Sequence, residues 1–493
     1  MFALLAARNI TLRPGRTLFL LLGYGMGVSV MIVLLSIGEA LLSQARDEKL
    51  VGGGEVTVLP EGLDVEVMKT GGLGGLYFSI DHARFVHHQL LASPRLASSV
   101  AMAAPQVEGK LLYVRALDGR EWAVKGAGEI PSASRAVGAG PALSEGSWSD
   151  DSLDRRWLSP TPAELRHQVD HFHLPPASAR GDSTWAEWHY FNVLSSDARR
   201  WAFISFIVAG AVDSVAGPRW GGQLLVTLHE QGKPERRFTT MVPSADIRFS
   251  TNDANLTLGE STVQVLPDGR YAVKGSGVEL GTGTRLHLDL TFAPTPGAYF
   301  PGASLGGTGV TSGYAVPALR ADADGTICVA STCERFAKAQ GYHDHNWGTW
   351  AGVTWEWGAA RLGQWAMLYG RVQPPDSAAE SQPLFLYLTD SLGFRSLFRP
   401  KRIAYVDGRR ARAGSNEIAV PSHAEFADIR GDDTVRVDLT MDDAVANAGR
   451  VRSEQWFIQM KGRAHITGRI GGQPLDLNGD GFYETYRKGP AKP

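Results

Sequence analysis

Residues 341–348 read GYHDHNWG, and this stretch says the most about both the fold and the function of the chain. It places two histidines, an aspartate, an asparagine and a tryptophan within eight positions. Successive side chains of a β-strand point to opposite faces, so His343 and His345 should share one face and Asp344 should take the other. Such a cluster offers proton donors, acceptors and an aromatic wall at one point. The alternative is a polar, hydrogen-bonded barrel rim or a strained turn.

Composition favours a folded, turn-rich β protein. The chain has 493 residues, 43% of them hydrophobic and 20% charged, which is enough for two or three domains. Its 57 glycines and 26 prolines favour many turns, and Asp118-Gly119 and Asp268-Gly269 are typical of hairpins. The net charge of −2 and the lack of a long basic run argue against nucleic acid as a partner.

Three segments together resemble one known family. GYHDHNWG resembles the signature of the carotenoid 1,2-hydratase (hydroxyneurosporene synthase) family and its AttH-like relatives. Residues 187–191, EWHYF, resemble the early EWWYF-type strand of that family, with His189 in place of the second tryptophan. Residues 481–486, GFYETY, resemble its closing GFxET segment. The resemblance spans roughly residues 183–487 and implies a mainly β protein with two lipocalin-like antiparallel β-barrels, divided around residues 322–339.

An uncharged stretch near the start of the chain predicts a membrane helix. Residues 17–38 contain no charged side chain, and 22 positions are enough for a helix to cross a bilayer. Arg8, Arg13 and Arg16 precede the stretch, which favours a cytoplasmic N-terminus and export of everything that follows. We therefore expect a single-pass protein of the inner (cytoplasmic) membrane with the bulk of its chain in the periplasm. A cleaved signal peptide is the alternative.

The sequence divides into four zones. Residues 1–44 hold the cytoplasmic start and the membrane helix, and residues 45–177 form a small α+β segment with a linker. Residues 178–335 and 336–493 are the two predicted barrels, and the second carries GYHDHNWG. Residues 6–9, AARN, and residues 13–18, RPGRTL, resemble the start of a MacB- or FtsX-type ABC-transporter permease, and the order of elements in the second zone resembles the periplasmic core of that family. No further run of membrane length follows, so this resemblance implies a truncated permease segment reused as an anchor and spacer.

The cysteines and histidines predict a disulfide rather than a metal centre. Cys328 and Cys333 can pair if the chain is exported to an oxidising compartment. No second cysteine pair accompanies them, and His167 and His171, at helical i, i+4 spacing, lack an HExxH pattern. Residues 476–481, DLNGDG, match the first half of a calcium loop, yet a tight polar turn is the favoured interpretation. We expect no metal and no cofactor.

The family resemblance also implies site residues. It carries catalytic roles onto His345, Trp347 and Tyr369, and Asp344 is a fourth catalytic candidate that the resemblance itself does not supply. The family has an acidic residue just after the tyrosine, where Arg371 stands in this chain, so Asp344 or Glu356 would have to supply the acid. The candidates for ligand binding are aromatic and polar neighbours: His343, Asn346, Trp355, Trp357, Arg371, Trp188 and Tyr190.

Three functions are compatible with these features. The leading hypothesis is a membrane-anchored, periplasmic lipocalin-like protein that binds a hydrophobic small molecule, such as an isoprenoid or a lipid. The second is an active hydratase or cyclase, in which a desolvated carboxylic acid protonates a carbon–carbon double bond and tryptophan faces stabilise the cation. The third is an accessory protein that delivers lipophilic cargo to or from ABC-transporter subunits.

Overall fold

The structure, a computed structural model, describes residues 14–47, 56, 58, 80–93, 95–137, 149–175, 184–211, 219–307, 310–350, 352–373, 383–413, 416–451 and 455–488. Helix α1 spans Pro14–Asp47, and its portion Pro14–Ile37 is long and apolar enough to cross a membrane, by length and composition. This portion overlaps the membrane helix predicted at residues 17–38. Of the arginines used to orient that helix, Arg8 and Arg13 lie outside the described residues.

The remaining helices are short, and strands make up most of the described chain. The helices are α2 (Ile80–Ala92), α3 (Pro131–Ala136), α4 (Ser152–Leu158) and α5 (Pro162–Val169). The strands are β1 (Gln106–Arg115), β2 (Glu121–Glu129), β3 (Trp185–Leu194), β4 (Arg200–Ala211), β5 (Arg219–Glu230), β6 (Arg236–Pro243), β7 (Ile247–Phe249), β8 (Leu256–Leu258), β9 (Ser261–Val265), β10 (Tyr271–Glu279), β11 (Arg285–Pro294), β12 (Phe300–Gly307), β13 (Val310–Val329), β14 (Thr332–Thr349), β15 (Thr354–Leu362), β16 (Trp365–Gln373), β17 (Phe385–Asp390), β18 (Gly393–Phe398), β19 (Ala404–Val406), β20 (Arg409–Ala413), β21 (Asn416–Val420), β22 (His423–Arg430), β23 (Asp433–Val451), β24 (Gln455–Ile470) and β25 (Gln473–Lys488).

The chain forms two compact units, one of residues 1–78 and 102–154 and the other of residues 79–101 and 155–493. In the smaller unit, β1 and β2 form the antiparallel hairpin predicted around Asp118-Gly119. Gly119 has a φ of +85°, a left-handed conformation that favours glycine at this turn. In the larger unit, β9 and β10 form the corresponding hairpin around Asp268-Gly269.

The first sheet of the larger unit closes into a barrel. Its strands follow the order β11-β13-β14-β3-β4-β5-β6-β10, and β10 pairs back onto β11. Leu286, Leu288 and Leu290 of β11 all point into the core, because a period-2 pattern puts its apolar side chains on one face. Phe191 and Phe206 fill the same core and are fully buried. Closure removes the unpaired edges that an open sheet would present.

The second sheet of this unit is also antiparallel, with the order β18-β17-β16-β15-β25-β24-β23-β22-β19. Within the described residues its first and last strands do not pair, so it is a curled, open half-barrel. Its own core contains Tyr369, Leu386, Ile458 and Tyr483, all fully buried. The prediction of a mainly β fold with two lipocalin-like antiparallel β-barrels after one apolar helix is confirmed, with the difference that the second barrel is an open half-barrel.

Helix α2 connects the two sheets, although it precedes both in sequence. Gln89 donates from Nε2 to the carbonyl of Gly297 (3.0 Å), in the loop between β11 and β12. Its Oε1 accepts from the backbone N–H of Phe394 (3.0 Å), on β18 of the second sheet. Ser93, just after the helix, donates to the carbonyl of Leu392. The helix therefore belongs structurally to the sheets and holds both of them.

Candidate functional site

Strand β14 carries GYHDHNWG and separates two different environments. It pairs antiparallel with β3, so that His345 lies opposite His189 and Asp344 lies opposite Tyr190. His343 and His345 point into the first barrel and are fully buried. Asp344 points the other way, towards the second sheet. The predicted division of the stretch between two strand faces is therefore confirmed.

Strands β3, β4, β5 and β14 of the first sheet and β15, β24 and β25 of the second line a cavity of about 460 Å³. Six residues predicted from the sequence lie on its wall: Asp344, Asn346, Trp188, Tyr190, Trp355 and Trp357. Phe203, Ile207 and Leu225 add apolar surface. Small-molecule sites commonly measure ~300–1,000 Å³ and are lined mainly by apolar groups, so the cavity has the size and character of a ligand site.

Asp344 is the polar centre of one wall. Its Oδ2 accepts a hydrogen bond from the hydroxyl of Tyr342 (2.7 Å), and its Oδ1 accepts one from Nδ2 of Asn346 (2.6 Å). The Tyr342 hydroxyl in turn accepts from Nε1 of Trp357 at 2.8 Å. Burial, and then the nearby carboxyl of Glu484, raise the pKa of Asp344 to about 8 against the opposing effect of its two hydrogen bonds. Asp344 is thus a carboxylic acid that holds its proton at neutral pH beside an aromatic cavity.

Glu484 provides a second carboxyl, on the wall formed by the second sheet. Trp355 donates from Nε1 to its Oε2 (2.8 Å), and Gln459 donates from Nε2 to its Oε1 (3.2 Å). Gln459 also lies within hydrogen-bond distance of the Tyr190 hydroxyl (3.2 Å), which links this carboxyl to the first sheet. Burial raises the pKa of Glu484, and the hydrogen bonds from Trp355 and Gln459 act in the opposite direction. Two carboxyl groups therefore face one cavity from different sheets.

Tryptophan rings form much of the apolar wall. Trp350 makes edge contacts with Trp188 (5.0 Å between ring centroids) and with Trp355 (5.7 Å). The ring of Trp357 lies against Gly370, where an added Cβ would be 2.4 Å from the ring, so only glycine leaves room for it. The faces of these rings carry the negative side of the aromatic quadrupole, which attracts a cation.

Besides the two histidines inside the barrel, three of the predicted residues lie away from the cavity. Trp347 stacks on His173, with ring centroids 3.6 Å apart. Tyr369 is buried in the core of the second sheet, and its hydroxyl has no hydrogen-bond partner among the described residues. Arg371 forms an ion pair with Glu356, with its Nε 2.9 Å from Oε2. The cavity therefore brings together only part of the predicted set.

The two cysteines are joined to each other at the hairpin between β13 and β14. Cys328 and Cys333 form a disulfide five positions apart in sequence. They are also paired residues of the two strands. The bond closes the turn from which β14 runs towards the cavity and the barrel interior.

The sequence did not single out three residues that complete the site, Tyr342, Gln459 and Glu484. Tyr342 belongs to GYHDHNWG and Glu484 to the closing GFYETY segment, so the motifs contained both without indicating their roles. Gln459 lies in no motif. It reaches the cavity because β24 pairs with β25, a neighbour that only the sheet order reveals.

Comparison with known proteins identifies distant structural neighbours. No protein-family model and no curated protein matches this chain. An AttH-type protein from Nitrosomonas europaea is 16% identical over 64% of this chain and 97% of its own, with a TM-score of 0.43. The protein CghA, bound to Sch210972, is 15% identical over 68% of this chain and 97% of its own (TM-score 0.44). Kievitone hydratase from Nectria haematococca is 11% identical over 64% of this chain and 93% of its own (TM-score 0.39).

Proposed function

We propose that this chain binds a hydrophobic small molecule, of isoprenoid or lipid type, in the cavity between its two sheets, and that α1 anchors it in a membrane. The observation that carries the proposal is the combination of an aromatic wall with two carboxyl groups, Asp344 and Glu484, in one cavity. An apolar ligand would remove that wall from water, at about 25 cal/mol per Å² of apolar surface buried. The carboxyl groups would orient the ligand through a hydroxyl or carbonyl group.

Acid-catalysed hydration or cyclisation of such a ligand is a second candidate, favoured by the same pair of carboxyls. Asp344 would donate its proton to one carbon of a double bond and leave a tertiary cation on the other, next to the Trp355 and Trp357 rings. The oxygen of a water molecule would then add to the cation and release a proton to Glu484 in its ionised form. The product is the substrate plus one water. In a cyclisation, a second double bond of the ligand would attack instead of water, and the new cation would lose a proton to the ionised Glu484, so that the product is an isomer of the substrate.

Native mass spectrometry of the full-length chain in detergent tests the binding proposal, with geranylgeraniol as the probe. At roughly 0.3 kcal/mol per non-hydrogen atom, a molecule of this size should bind with about 6 kcal/mol, which is a Kd of tens of micromolar. Ser205 of β4 lines the cavity, so Ser205→Phe should fill part of it and weaken binding at least tenfold. Ser99→Phe makes the same change at an exposed turn and should leave binding unchanged.

Two results would refute the cavity as the binding site: no complex with geranylgeraniol, or an affinity that Ser205→Phe leaves unchanged. Trp347→Ala should retain binding, because that ring stacks outside the cavity. The same samples test catalysis. A hydratase should give a product heavier by one water with the wild-type chain and none with Asp344→Asn, whereas a pure binding protein should return the probe intact from both.

The periplasmic location and the association with ABC-transporter subunits stay predictions from the sequence. A transport accessory protein would have to contact a transporter in the membrane that holds α1. Affinity purification of the intact chain from solubilised membranes should then recover a transporter ATPase or permease. Recovery of no transporter subunit would contradict this role and leave the binding proposal untouched.

A further inference from the structure

A second cluster of chemically active side chains lies inside the first barrel, on the face of β14 opposite to Asp344. His189 of β3 and His343 and His345 of β14 point inward, and all three are fully buried. Asp170 reaches them from the position just after α5 and is itself 1% exposed. None of these four is among the described residues that line the cavity between the sheets. The cluster therefore needs an explanation of its own.

The local structure around α5 directs Asp170 into the barrel. The helix begins with a capping box, in which the side chains of Thr161 and Glu164 accept from each other's backbone N–H groups. It ends at Val169, and Asp170 continues in an extended conformation while its N–H still donates to the carbonyl of Arg166 (2.8 Å). A firmly capped helix thus delivers a single carboxylate to the barrel interior.

This carboxylate has close neighbours around both of its oxygens. Oδ2 of Asp170 lies 2.9 Å from Nε2 of His343 and accepts from the hydroxyl of Tyr271 at 2.8 Å. Oδ1 lies 2.5 Å from Nδ1 of His345 and 3.8 Å from Nδ1 of His189. One buried carboxylate therefore faces three imidazole nitrogens.

In two of these rings, the nitrogen that faces away from Asp170 has a carbonyl partner, and this partner determines which ring nitrogen carries the proton. Nε2 of His189 lies 3.0 Å from the carbonyl oxygen of Ala254, and Nδ1 of His343 lies 3.0 Å from that of Tyr190. A carbonyl oxygen only accepts, so in a neutral ring the proton belongs on these nitrogens. The second nitrogen of each ring then directs a lone pair at the Asp170 carboxylate. Lone pairs and a carboxylate repel each other unless a cation lies between them.

Nδ1 of His189 gives an independent indication of a bound ion. The atom is buried and has no hydrogen-bond partner among the described residues. Its separation of 3.8 Å from Asp170 exceeds the length of a hydrogen bond but leaves space for an ion that contacts both. Buried polar atoms in proteins are nearly always paired, so an unpaired nitrogen aimed at a carboxylate points to a ligand.

We propose that Asp170, His189 and His343 bind a divalent transition-metal ion, with zinc as the ion that suits them best. Their donor atoms lie within 4.8 Å of one another. Tetrahedral zinc, with ligands at about 2.0–2.1 Å, requires donor atoms roughly 3.3 Å apart, so small side-chain shifts are enough. Mixed imidazole and carboxylate donors suit zinc, whereas calcium and magnesium prefer oxygen ligands. His345, whose Nδ1 also adjoins Asp170, is the candidate for the fourth ligand.

The hydrogen bonds around the cluster are those that metal ligands commonly have. A histidine that binds a metal usually donates its other N–H to a carbonyl or a carboxylate, which orients the ring. His189 and His343 are held in this way by backbone carbonyls. His345 differs, because its Nε2 makes an ion-pair contact of 2.9 Å with Oε1 of Glu187 and not a hydrogen bond. The Tyr271 hydroxyl supports the carboxylate from the other side. Full burial of the donors makes this a closed, structural site.

The ion would serve a purpose distinct from the chemistry of the cavity. His189 and His343 belong to β3 and β14, two strands that also form the cavity wall, and Asp344 follows His343 directly. A metal bound inside the barrel would therefore fix the position of Asp344 from behind. The sequence predicted no metal because the three ligands come from distant positions, 170, 189 and 343, with no motif spacing between them.

Metal analysis of the untagged, full-length chain tests this proposal. Zinc content is measured by inductively coupled plasma mass spectrometry, before and after stripping with a chelator and titration with zinc. We expect about one zinc per chain, a lower Tm after chelation, and tetrahedral visible absorption when cobalt(II) replaces zinc. His189→Ala and His343→Ala should each lower the zinc content at least tenfold. His287→Ala removes an exposed histidine of the same barrel and should leave it unchanged.

Two outcomes overturn the proposal. One is a wild-type chain that contains no zinc and takes up none after chelation, in which case the cluster is a hydrogen-bonded network around the Asp170 carboxylate. The other is a zinc content that His189→Ala and His343→Ala leave at the wild-type level, which would place the ion elsewhere. If the alanine variants fail to fold, the zinc titration and the cobalt spectrum of the wild-type chain decide the question.

Discussion

Replacing Tyr342 by Phe should break a two-step relay of hydrogen bonds behind Asp344. The hydroxyl of Tyr342 donates to Oδ2 of Asp344 (2.7 Å) and accepts from Nε1 of Trp357 (2.8 Å). Both aromatic side chains are buried, at 5% and 7% exposure. Tyr342→Phe keeps the ring in place and removes the two hydrogen bonds together, so its effect reports on the relay rather than on packing.

The expected cost follows from the groups that lose a partner. The hydrogen bond to Asp344 contributes about 1 kcal/mol to the free energy of unfolding. The buried Nε1 of Trp357 would lose its acceptor, at a further cost of ~1–3 kcal/mol, which gives a total of about 2–4 kcal/mol. Trp357→Phe removes that donor, so in its background Tyr342→Phe should cost only about 1 kcal/mol. The coupling between the two positions should therefore be ~1–3 kcal/mol.

A double-mutant cycle measures this coupling. Urea unfolding of the wild-type chain, Tyr342→Phe, Trp357→Phe and the double variant is followed by circular dichroism. Tyr387→Phe is the matched control, because this buried hydroxyl donates to the carbonyl of Tyr299 (3.1 Å) and lies outside the relay. It should cost about 1 kcal/mol with and without Trp357→Phe. A coupling energy below about 0.5 kcal/mol between Tyr342 and Trp357 would refute the relay.

Three further predictions concern single groups. Tyr369→Phe should leave stability unchanged or raise it by about 1 kcal/mol, because it removes a buried hydroxyl that has no partner among the described residues; a large loss in urea unfolding would contradict this. Burial raises the pKa of Glu484 in the folded state, so above the usual carboxyl pKa of 4.5 the ionisation of this group opposes folding. The variant Glu484→Gln cannot ionise, so its stability relative to the wild-type chain should increase as the pH rises above 4.5. Tm values of the variant and the wild-type chain, measured from pH 5 to 8, test this prediction. A Tm difference, variant minus wild type, that decreases with rising pH would contradict it. The double variant Cys328→Ser/Cys333→Ser should lower the free energy of unfolding by about 2 kcal/mol, the loop-closure entropy of so short a loop, and an unchanged unfolding curve would contradict this.

The alternation of residues along β14 was predictable because it depends only on strand geometry. His343 and His345 share a face, and Asp344 takes the other, wherever the strand lies. The environment of each face was not predictable in the same way. The family resemblance gave His345 and Trp347 catalytic roles, which requires both side chains to face the substrate. The cavity lies between the two sheets, so the same alternation gives it Asp344 and leaves the histidines in the barrel interior.

Residues that meet only through distant pairing were beyond the reach of sequence patterns. Asp170 stands in a stretch that reads as a linker, and nothing near it indicates that it enters a barrel. The family resemblance gave Tyr369 a catalytic role, but its side chain lies in the core of the second sheet. Strand alternation puts its neighbours Leu368 and Gly370 on the other face of β16, where Gly370 lies against the Trp357 ring. The motifs located the right strands, and the order of those strands in the sheets decided which side chains share a site.

The position of α2 has a consequence for cutting the chain. The larger unit is assembled from two separate pieces, residues 79–101 and 155–493, and the shorter piece contains Gln89, which bonds to both sheets. A fragment that starts at the predicted barrel boundary, residue 178, would lose α2 and Asp170 and leave their polar partners unsatisfied. Cleavage between residues 102 and 154 would keep both pieces, which should remain associated as complementing fragments. An expressed portion meant to fold by itself therefore has to begin no later than residue 79.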